Sequence, residues 1–335
     1  MIDTVALLLA DRSPALRRLA LLEVDGAPAD DPEVAALAAE VPASPEVAAA
    51  LAAPAENLTQ LSFTLCRLAH LGLGRGHPAV EERAERLFSA QRGDGSWPFE
   101  RAWGGAPRVG GRVPAGEGYE WRPLQTALPL RGLAAAGFAT DPRAEGAYEW
   151  LLDHRMEDGS WPYGKAAGQR PGAVVGYRRL PRSEGCRNTT TGALACFAHH
   201  PERRLSVEAR GALDLLLQRE TREEATLGHE VARLLGAEPP RGFATFYARF
   251  DLAFILELAS RMGAAPTDPR LADLISFLET LRGPHGLWEH PSHPHLSRWL
   301  TLDLLASLER LHQGDWTGSD LRSGFRPYPG RRRRY

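Results

Sequence analysis

Two kinds of hydrophobic pattern alternate along the chain. In the first kind, apolar residues cover most of the helical circumference, which predicts helices buried on nearly all sides. Segments of this kind cover residues 58–71, 124–136, 189–199, 247–262 and 296–311. In the second kind, apolar residues recur on one face, which is typical of surface helices. Those segments cover residues 78–91, 142–154, 206–219 and 269–281. No segment shows a convincing strand alternation, so the pattern predicts an all-α protein with inner apolar and outer amphipathic helices.

An internal repeat supports this two-layer arrangement. The sequence Asp94-Gly-Ser-Trp-Pro-Phe99 returns 64 positions later as Asp158-Gly-Ser-Trp-Pro-Tyr163. Trp288 follows Trp161 by 127 positions, and the two Asp-Pro-Arg sequences at 141–143 and 268–270 have the same offset. The copy expected near residue 225 lacks its Trp. A fixed period is the signature of a repeat architecture, and here it predicts an α/α toroid of about five to six helical hairpins, with an open solenoid as the alternative.

The repeat also divides the chain. Residues 58–320 are expected to form the toroid, and residues 321–335 a basic tail. Residues 1–57 hold shorter helical patterns at 13–22, 32–39 and 45–53. These helices are expected either to complete the ring or to pack on it as a HEAT-like cap.

Composition and charge narrow the function classes. With 43% hydrophobic residues and a net charge of -2, the chain is neither mainly disordered nor a basic nucleic-acid binder overall. The three cysteines have no CxxC spacing, which indicates reduced thiols. No apolar run reaches the ~18 residues of a membrane span, so a cytoplasmic protein is expected. The four arginines at 331–334 predict a disordered solubilising tail, with a nucleic-acid or anionic-membrane contact as the alternative.

Three parts of the chain carry a family resemblance. Residues 84–97, ending in Gln91-Arg-Gly-Asp-Gly-Ser-Trp97, resemble the QW motif of squalene–hopene cyclases and related α/α-toroid proteins. Residues 148–161 resemble it too, with His154 at the place of the Gln. In that family the motif ties neighbouring repeats together. Residues 247–305 also look like bacterial squalene-cyclase-like or prenyltransferase-like single-domain proteins. The resemblance implies the toroid fold, and a fold alone does not imply a reaction.

The chain departs from the active members of this superfamily at their reactive motifs. The DxDD motif, whose central Asp protonates an alkene in class II terpene cyclases, is absent. The D-x-C pair that helps bind zinc in protein prenyltransferases is also absent, as is an acidic DDxxD cluster for Mg²⁺. These departures argue against the standard acid and zinc chemistries, and the sequence identifies no cofactor.

Long loops that precede two inner helices supply candidate ligand-binding residues. Loops 98–122 and 162–188 are rich in arginine and aromatic residues, which suit a diphosphate, a carboxylate or a planar ring. The alternative is a solvated, flexible loop. With residues on the last two inner segments, the candidates are Trp103, Trp121, Arg122, Tyr177, Arg178, Arg187, Tyr247, Arg249, Arg298 and Trp299.

Two acids are candidate catalytic groups. Asp251 and Asp303 lie on apolar helical segments, where burial raises the pKa of a carboxyl and suits a general acid. The alternative is an ion pair, with Arg249 for Asp251 and with Arg298 for Asp303, or a charge at a helix start. Cys186, Asp251 and His293 or His295 could converge as a metal site, but these residues lack local spacing, so no metal is predicted.

These observations leave several hypotheses. The first is a toroid whose central cavity binds an apolar or isoprenoid-like ligand, with acid-catalysed lyase or isomerase chemistry as its enzymatic form. The alternative is a non-catalytic binding or scaffold protein, with a protein partner, that kept the fold. A weaker alternative is nucleic-acid binding through the arginine-rich loops. An enzyme should have a closed apolar cavity with Asp251 in its wall, whereas a scaffold should have a filled ring centre or an exposed apolar patch outside it.

Overall fold

A computed structural model describes residues 4–98, 115–166, 170–172, 180, 183–218, 225–239 and 250–319. Within these ranges the protein is built almost entirely of helices. The first seven are α1 (Thr4–Leu9), α2 (Pro14–Glu23), α3 (Pro32–Glu40), α4 (Pro45–Ala52), α5 (Leu58–His70), α6 (Pro78–Ser89) and α7 (Pro123–Leu133). The next seven are α8 (Pro142–Asp153), α9 (Arg187–Phe197), α10 (Val207–Leu217), α11 (His229–Leu234), α12 (Leu252–Arg261), α13 (Pro269–Thr280) and α14 (Ser297–His312).

The apolar helices form the inner layer of a toroid. Helix α5 packs against α7, α7 against α9, and α12 against α14. Gly132 of α7 permits a close approach to α5, because a Cβ atom there would lie 2.6 Å from the carbonyl oxygen of Ser62. The amphipathic helices α6, α8, α10 and α13 form the outer layer and begin at polar caps or at proline. The all-α toroid is thus confirmed.

The N-terminal helices share the core of the toroid. Helix α2 packs against α14, the last inner helix, and α4 packs against α5, the first one. Leu16 of α2 and Val47 of α4 belong to the same buried apolar cluster as the inner helices. These contacts join the N-terminal region to the first and the last inner helix.

The repeated tryptophans have one geometry. Trp97, Trp161 and Trp288 are fully buried. Each indole N–H donates at 2.7 Å to a carbonyl near the end of an outer helix, from Trp97 to Leu87, Trp161 to Leu151 and Trp288 to Leu278. Gln91 also donates to the carbonyl of Arg143 in the next repeat at 2.9 Å. The indole bonds hold each tryptophan to the outer helix that precedes it, and the Gln91 bond reaches the start of the next outer helix.

Two short ladders correct the expectation that the chain has no strands. Strand β1 (Ala115–Trp121) pairs antiparallel with β2 (Lys165–Ala166). Strand β3 (Ala225–Thr226) pairs in parallel with β4 (Phe250–Asp251). Three of these strands have two residues, too few to show a period in the sequence. They arise where connecting segments lie side by side before an inner helix.

Within the described ranges, no single helix has the length and apolarity to cross a bilayer. The bent pair formed by Pro32–Ala43 and Pro45–Ala52 meets the length and composition criteria together.

Candidate functional site

Asp251, the first candidate acid, caps a helix and holds a neighbouring segment. Its Oδ1 accepts from the N–H of Gly228 at 3.0 Å and of Ala253 at 3.2 Å. Its Oδ2 accepts from the N–H of Glu230 at 2.7 Å. Burial raises the pKa of Asp251 to about 7, although the three amide donors act in the opposite direction. The helix-start role is therefore observed, whereas the predicted partner Arg249 lies outside the described residues.

The segment that Asp251 holds is buried against the inner helices. It begins where the repeat has lost its Trp, and its helix α11 is buried from Glu230 to Leu234. Glu230 forms a buried ion pair with Arg131 of α7. Arg233 stacks over Phe63 of α5, with 4.3 Å between the guanidinium carbon and the ring centroid.

Further contacts hold α11 and its neighbours. Arg67 of α5 donates to the carbonyl of Leu234 at 3.1 Å. Arg131, the partner of Glu230, also lies 5.0 Å from the ring centroid of Phe254 on α12. Side chains of α5 and α7, and Asp251 at the start of α12, thus hold one short helix.

The described candidates at the N-terminal ends of the inner helices are packed into the protein. Trp121 lies edge-on to His154 and Trp150 at the end of outer helix α8, with ring centroids 4.5 and 6.3 Å away. Arg122 is buried, with its guanidinium 4.0 Å from the ring centroid of Tyr163. Arg187, the first residue of α9, is also buried. The candidates Trp103, Tyr177, Arg178, Tyr247 and Arg249 lie outside the described residues.

The candidates on α14 make structural contacts. Arg298 donates to Asp11 at 2.9 Å, so its ion-pair partner differs from the predicted Asp303. Trp299 is buried against His70 of α5, with 5.2 Å between the ring centroids. Both contacts join α14 to earlier parts of the chain.

The considered metal ligands do not converge. His293 lies 3.1 Å from a carboxylate oxygen of Glu238, and Cys186 is buried ahead of α9. Over the described ranges, no group of three His, Cys, Asp or Glu side chains is arranged to hold a metal ion.

Open space lies at the C-terminal ends of the inner helices. A cavity of about 700 Å³, here called the chamber, is lined by the residues that end α7, α9, α12 and α14. A smaller cavity of about 180 Å³, here called the branch, lies between α2, α5, α12 and α14. Glu23, Arg261 and Arg310 line both. The two cavities therefore adjoin.

The pKa values of several titratable groups in and next to the branch are strongly shifted. Burial opposes ionisation of Glu257, but Arg261, His199 and Arg310 lower its pKa to about 2. Arg261 donates to Glu257 at 2.9 Å. Burial lowers the pKa of His70 to about 4 and that of His199 to about 3, so both imidazoles are neutral at neutral pH.

Asp303, the second candidate acid, lines the branch. Burial, and then the charge of Glu257, raise its pKa well above the ordinary value of a carboxyl. A carboxyl with a raised pKa thus faces the same cavity as a carboxylate with a lowered one. Unequal pKa values in neighbouring carboxyls are typical of acid–base sites, and also of buried ion networks.

A third cavity, of about 670 Å³, lies near the start of α12. Its lining includes the apolar side chains of Leu227, Leu252, Phe277 and Leu281. The charged residues in it are Glu238 and Glu289. This cavity is therefore apolar and acidic, in contrast to the arginine-lined chamber.

The chamber and the branch, at the C-terminal ends of the inner helices, were not predicted from the sequence. His70, His199, Arg261 and Arg310 each lie at or near the end of a predicted apolar segment, where a cation also complements the helix dipole. Because the helix dipole accounts for a cation at each of these positions, each position by itself gave no reason to expect that they converge around one cavity. The detectable signal was their repetition at the same end of successive inner helices.

Comparisons with known proteins give the following result. No family model and no curated protein matches the chain. Two solved structures of the type II terpene cyclase MstE from Scytonema are similar to it at 16% identity. A substitution variant in complex with its substrate, geranylgeranyl dihydroxybenzoate, aligns over 75% of this chain and 86% of that one, with a TM-score of 0.30. The apo structure aligns over 75% and 87%, with a TM-score of 0.29. At these values the function must be argued from the chain's own site.

Proposed function

We propose that this chain is a small-molecule-binding toroid whose ligand occupies the chamber. The observation that carries the proposal is the chamber itself, about 700 Å³ in volume, where the ends of four inner helices converge. Small-molecule sites typically measure ~300–1,000 Å³. The chamber wall includes Ala134, Ala135, Ala198 and Leu205, which supply apolar surface.

The ligand that fits the sequence prediction is a molecule with an apolar, isoprenoid-like body. Its apolar part would lie along the alanines and Leu205, in a space bounded by protein on several sides. The apolar and acidic cavity near the start of α12 is the competing location for such a body.

The contacts of Asp251 and α11 favour a structural role for this carboxyl. Helix α11 is buried, and its Glu230 pairs with the buried Arg131 of α7. Asp251 uses its carboxylate oxygens on main-chain amides. Removing this arrangement would leave charges buried and unpaired, which is strongly unfavourable. We therefore favour a binding protein over a catalyst at Asp251.

A second candidate function is acid catalysis at Asp303, which is supported by its position in the branch. A protonated carboxyl beside an apolar ligand could donate a proton in a lyase or isomerase reaction. The neighbouring Glu257, with its pKa lowered to about 2, remains ionised and would stabilise a developing positive charge.

The test is native mass spectrometry of the protein purified from its own host, followed by extraction of bound molecules. We expect a bound small molecule, and we expect Ala135→Phe, which narrows the chamber, to lose it. Ala48→Phe on the exposed face of α4 is the matched control and should retain it. An empty wild-type protein that is not stabilised by farnesol in a thermal-shift assay would favour the scaffold alternative.

The same extraction tests the second candidate. If Asp303 is a catalytic acid, Asp303→Asn should accumulate a molecule chemically different from the one bound to the wild type. Extraction of the same molecule from both proteins would contradict catalysis at Asp303 and leave the binding proposal intact.

A further inference from the structure

The chamber wall carries more positive than negative side chains. Arg204, Arg210, Arg261 and Arg310 line it, from the turn before α10, from α10 itself, and from the ends of α12 and α14. Two carboxylates, Glu23 and Asp315, line it as well. No arginine is among the described residues that line the apolar cavity near the start of α12.

Two of these arginines bind neutral acceptors. Arg204 donates to the carbonyls of Pro201 at 3.3 Å and of Arg261 at 2.6 Å. Arg210 donates to the carbonyl of Met262 at 3.1 Å. A carbonyl orients a guanidinium without cancelling its charge. The nearby Asp315 is 95% exposed and lies 3.8 Å from Arg210, so solvent weakens its effect.

The other two arginines are paired with carboxylates. Arg310 donates to Glu23 at 2.8 Å, and Arg261 donates through Nε to Glu257. The pKa of His199 is lowered to about 3 by burial and by Arg261, which agrees with a positive potential at this wall. Among the described residues, Arg204 donates to carbonyls, Arg210 has a carbonyl and the exposed Asp315 as partners, and Arg261 lies beside Arg204.

We propose that Arg204, Arg210 and Arg261 form an oxyanion subsite in the chamber, which holds the carboxylate or phosphate group of an amphipathic ligand. The inference rests on the proposed function, since it names the polar end of the ligand that the chamber would take. Guanidinium groups suit this task because their paired N–H donors match the geometry of carboxylate and phosphate oxygens.

A capping role is the competing explanation. Arg204 and Arg210 donate to carbonyls at the C-terminal end of α12, and cations there stabilise a helix. Capping predicts a loss of stability on substitution with no change in ligand preference. A subsite predicts a loss of preference for the anionic ligand, which a stability measurement alone does not detect.

The experiment compares farnesol, farnesyl phosphate and inorganic phosphate by calorimetric titration at low salt. Farnesol and farnesyl phosphate share one apolar chain and differ by the anionic group. We expect the phosphate ester to bind the wild type at least tenfold more tightly than the alcohol, a difference of about 1.4 kcal/mol. Added salt should reduce this preference, because the contacts are solvent-accessible. A fatty acid and its alcohol repeat the comparison for carboxylate.

Variants at adjacent positions separate the explanations. Arg204→Gln should abolish most of the preference for the phosphate ester. Arg203→Gln is the matched control, since Arg203 points to Glu145 and Glu149 on α8, and it should keep the preference. A preference that survives in both Arg204→Gln and Arg210→Gln would overturn the subsite.

The two proposals fail differently. Equal binding of farnesol and farnesyl phosphate would overturn the oxyanion subsite and support the chamber as a site for apolar ligands. If none of the probes and no extracted molecule binds, both proposals fail. Binding of inorganic phosphate that is lost in Arg204→Gln would support the subsite by itself.

Discussion

Two Asp-Pro-Arg turns, 127 positions apart, have the same local geometry. Asp141 and Asp268 each cap the start of an outer helix, and each accepts the N–H of the arginine two residues later at 2.9 Å. In both turns the arginine Nε then donates back to the same carboxylate oxygen at 3.0 Å. Local sequence therefore determines this part of the structure twice.

Each arginine also reaches an acid on the preceding outer helix. Arg143 donates to Glu85 of α6 at 2.9 Å, and Arg270 donates to Asp214 of α10 at 2.6 Å. The environments differ. The Arg143 side chain is 44% exposed, whereas the Arg270 side chain is 1% exposed.

The difference comes from residues 314–319, here called the C-terminal strap. The N–H of Gly318 donates to Asp268 at 3.0 Å, and the hydroxyl of Ser319 donates to Asp214 at 2.5 Å. The strap itself is held by a bond from the N–H of Ala265 to the carbonyl of Trp316 at 2.7 Å. The ion cluster around Arg270 is thus covered by the strap, whereas the ion cluster around Arg143 is open to solvent. An exposed ion pair contributes little, whereas breaking a buried one leaves an uncompensated charge.

The largest effect is expected from Arg270→Ala. This change leaves the buried carboxylates of Asp214 and Asp268 without their cation, so the free energy of unfolding should fall by about 3–5 kcal/mol. Arg143→Ala, the matched change in the open turn, should lower it by about 1 kcal/mol or less. Denaturant unfolding of both variants gives the comparison. Equal losses would show that the strap does not determine the strength of the cluster.

The two turns also show what a sequence can predict. The helix starts at Pro142 and Pro269 follow from an Asp cap before proline, and both were predicted to the residue. The inner segment at 58–71 was likewise close to the observed helix, Leu58–His70. These features depend on neighbours along the chain, and period and capping chemistry report such neighbours directly.

Features that depend on distant contacts were not predictable. Helix α11 has six residues, too few for a period to distinguish it from a loop. The covering of Arg270 depends on Gly318, about fifty positions away, and glycine is an ordinary loop residue. The chamber requires Arg204, Arg261 and Arg310 to meet from three segments. A pattern of single residues at helix ends does not reveal which of them converge.

An intermediate effect is expected from Gly318→Ala, which should displace the strap from the ion cluster around Arg270. A Cβ atom at position 318 would lie 1.9 Å from Arg270 Nη2 and 2.0 Å from Asp214 Oδ1, so the strap or the cluster must move. Strain of this kind typically costs ~1–3 kcal/mol. Gly211→Ala on the exposed face of α10 is the control, because its Cβ would meet nothing within 4 Å, and it should be neutral or stabilising.

A double mutant sharpens this result. When the strap is displaced, water reaches the ion cluster. Arg270→Ala should therefore lower the free energy of unfolding less in the Gly318→Ala protein than in the wild type. Thermal or denaturant unfolding of the four proteins measures the coupling between the two changes. Strictly additive losses would contradict the view that the strap buries the ion cluster.

The smallest effect concerns acid stability. Burial opposes ionisation of Asp268, but hydrogen bonds from Arg270 and Gly318 lower its pKa below 3.8. A carboxyl with a lowered folded-state pKa stabilises the protein above its unfolded-state pKa, and that contribution is lost as the pH falls through the folded-state pKa. Asp268→Asn removes the contribution, so the free energy of unfolding should fall less steeply in this variant below about pH 4.

Hydrogen bonds from Arg143 likewise lower the pKa of Asp141, with the same sign. Because Arg143 is half exposed, we expect Asp141→Asn to change the slope less, and unfolding titrations from pH 7 to pH 2 compare the two. A larger change for Asp141→Asn would mean that burial by the strap does not strengthen the interaction between Asp268 and Arg270.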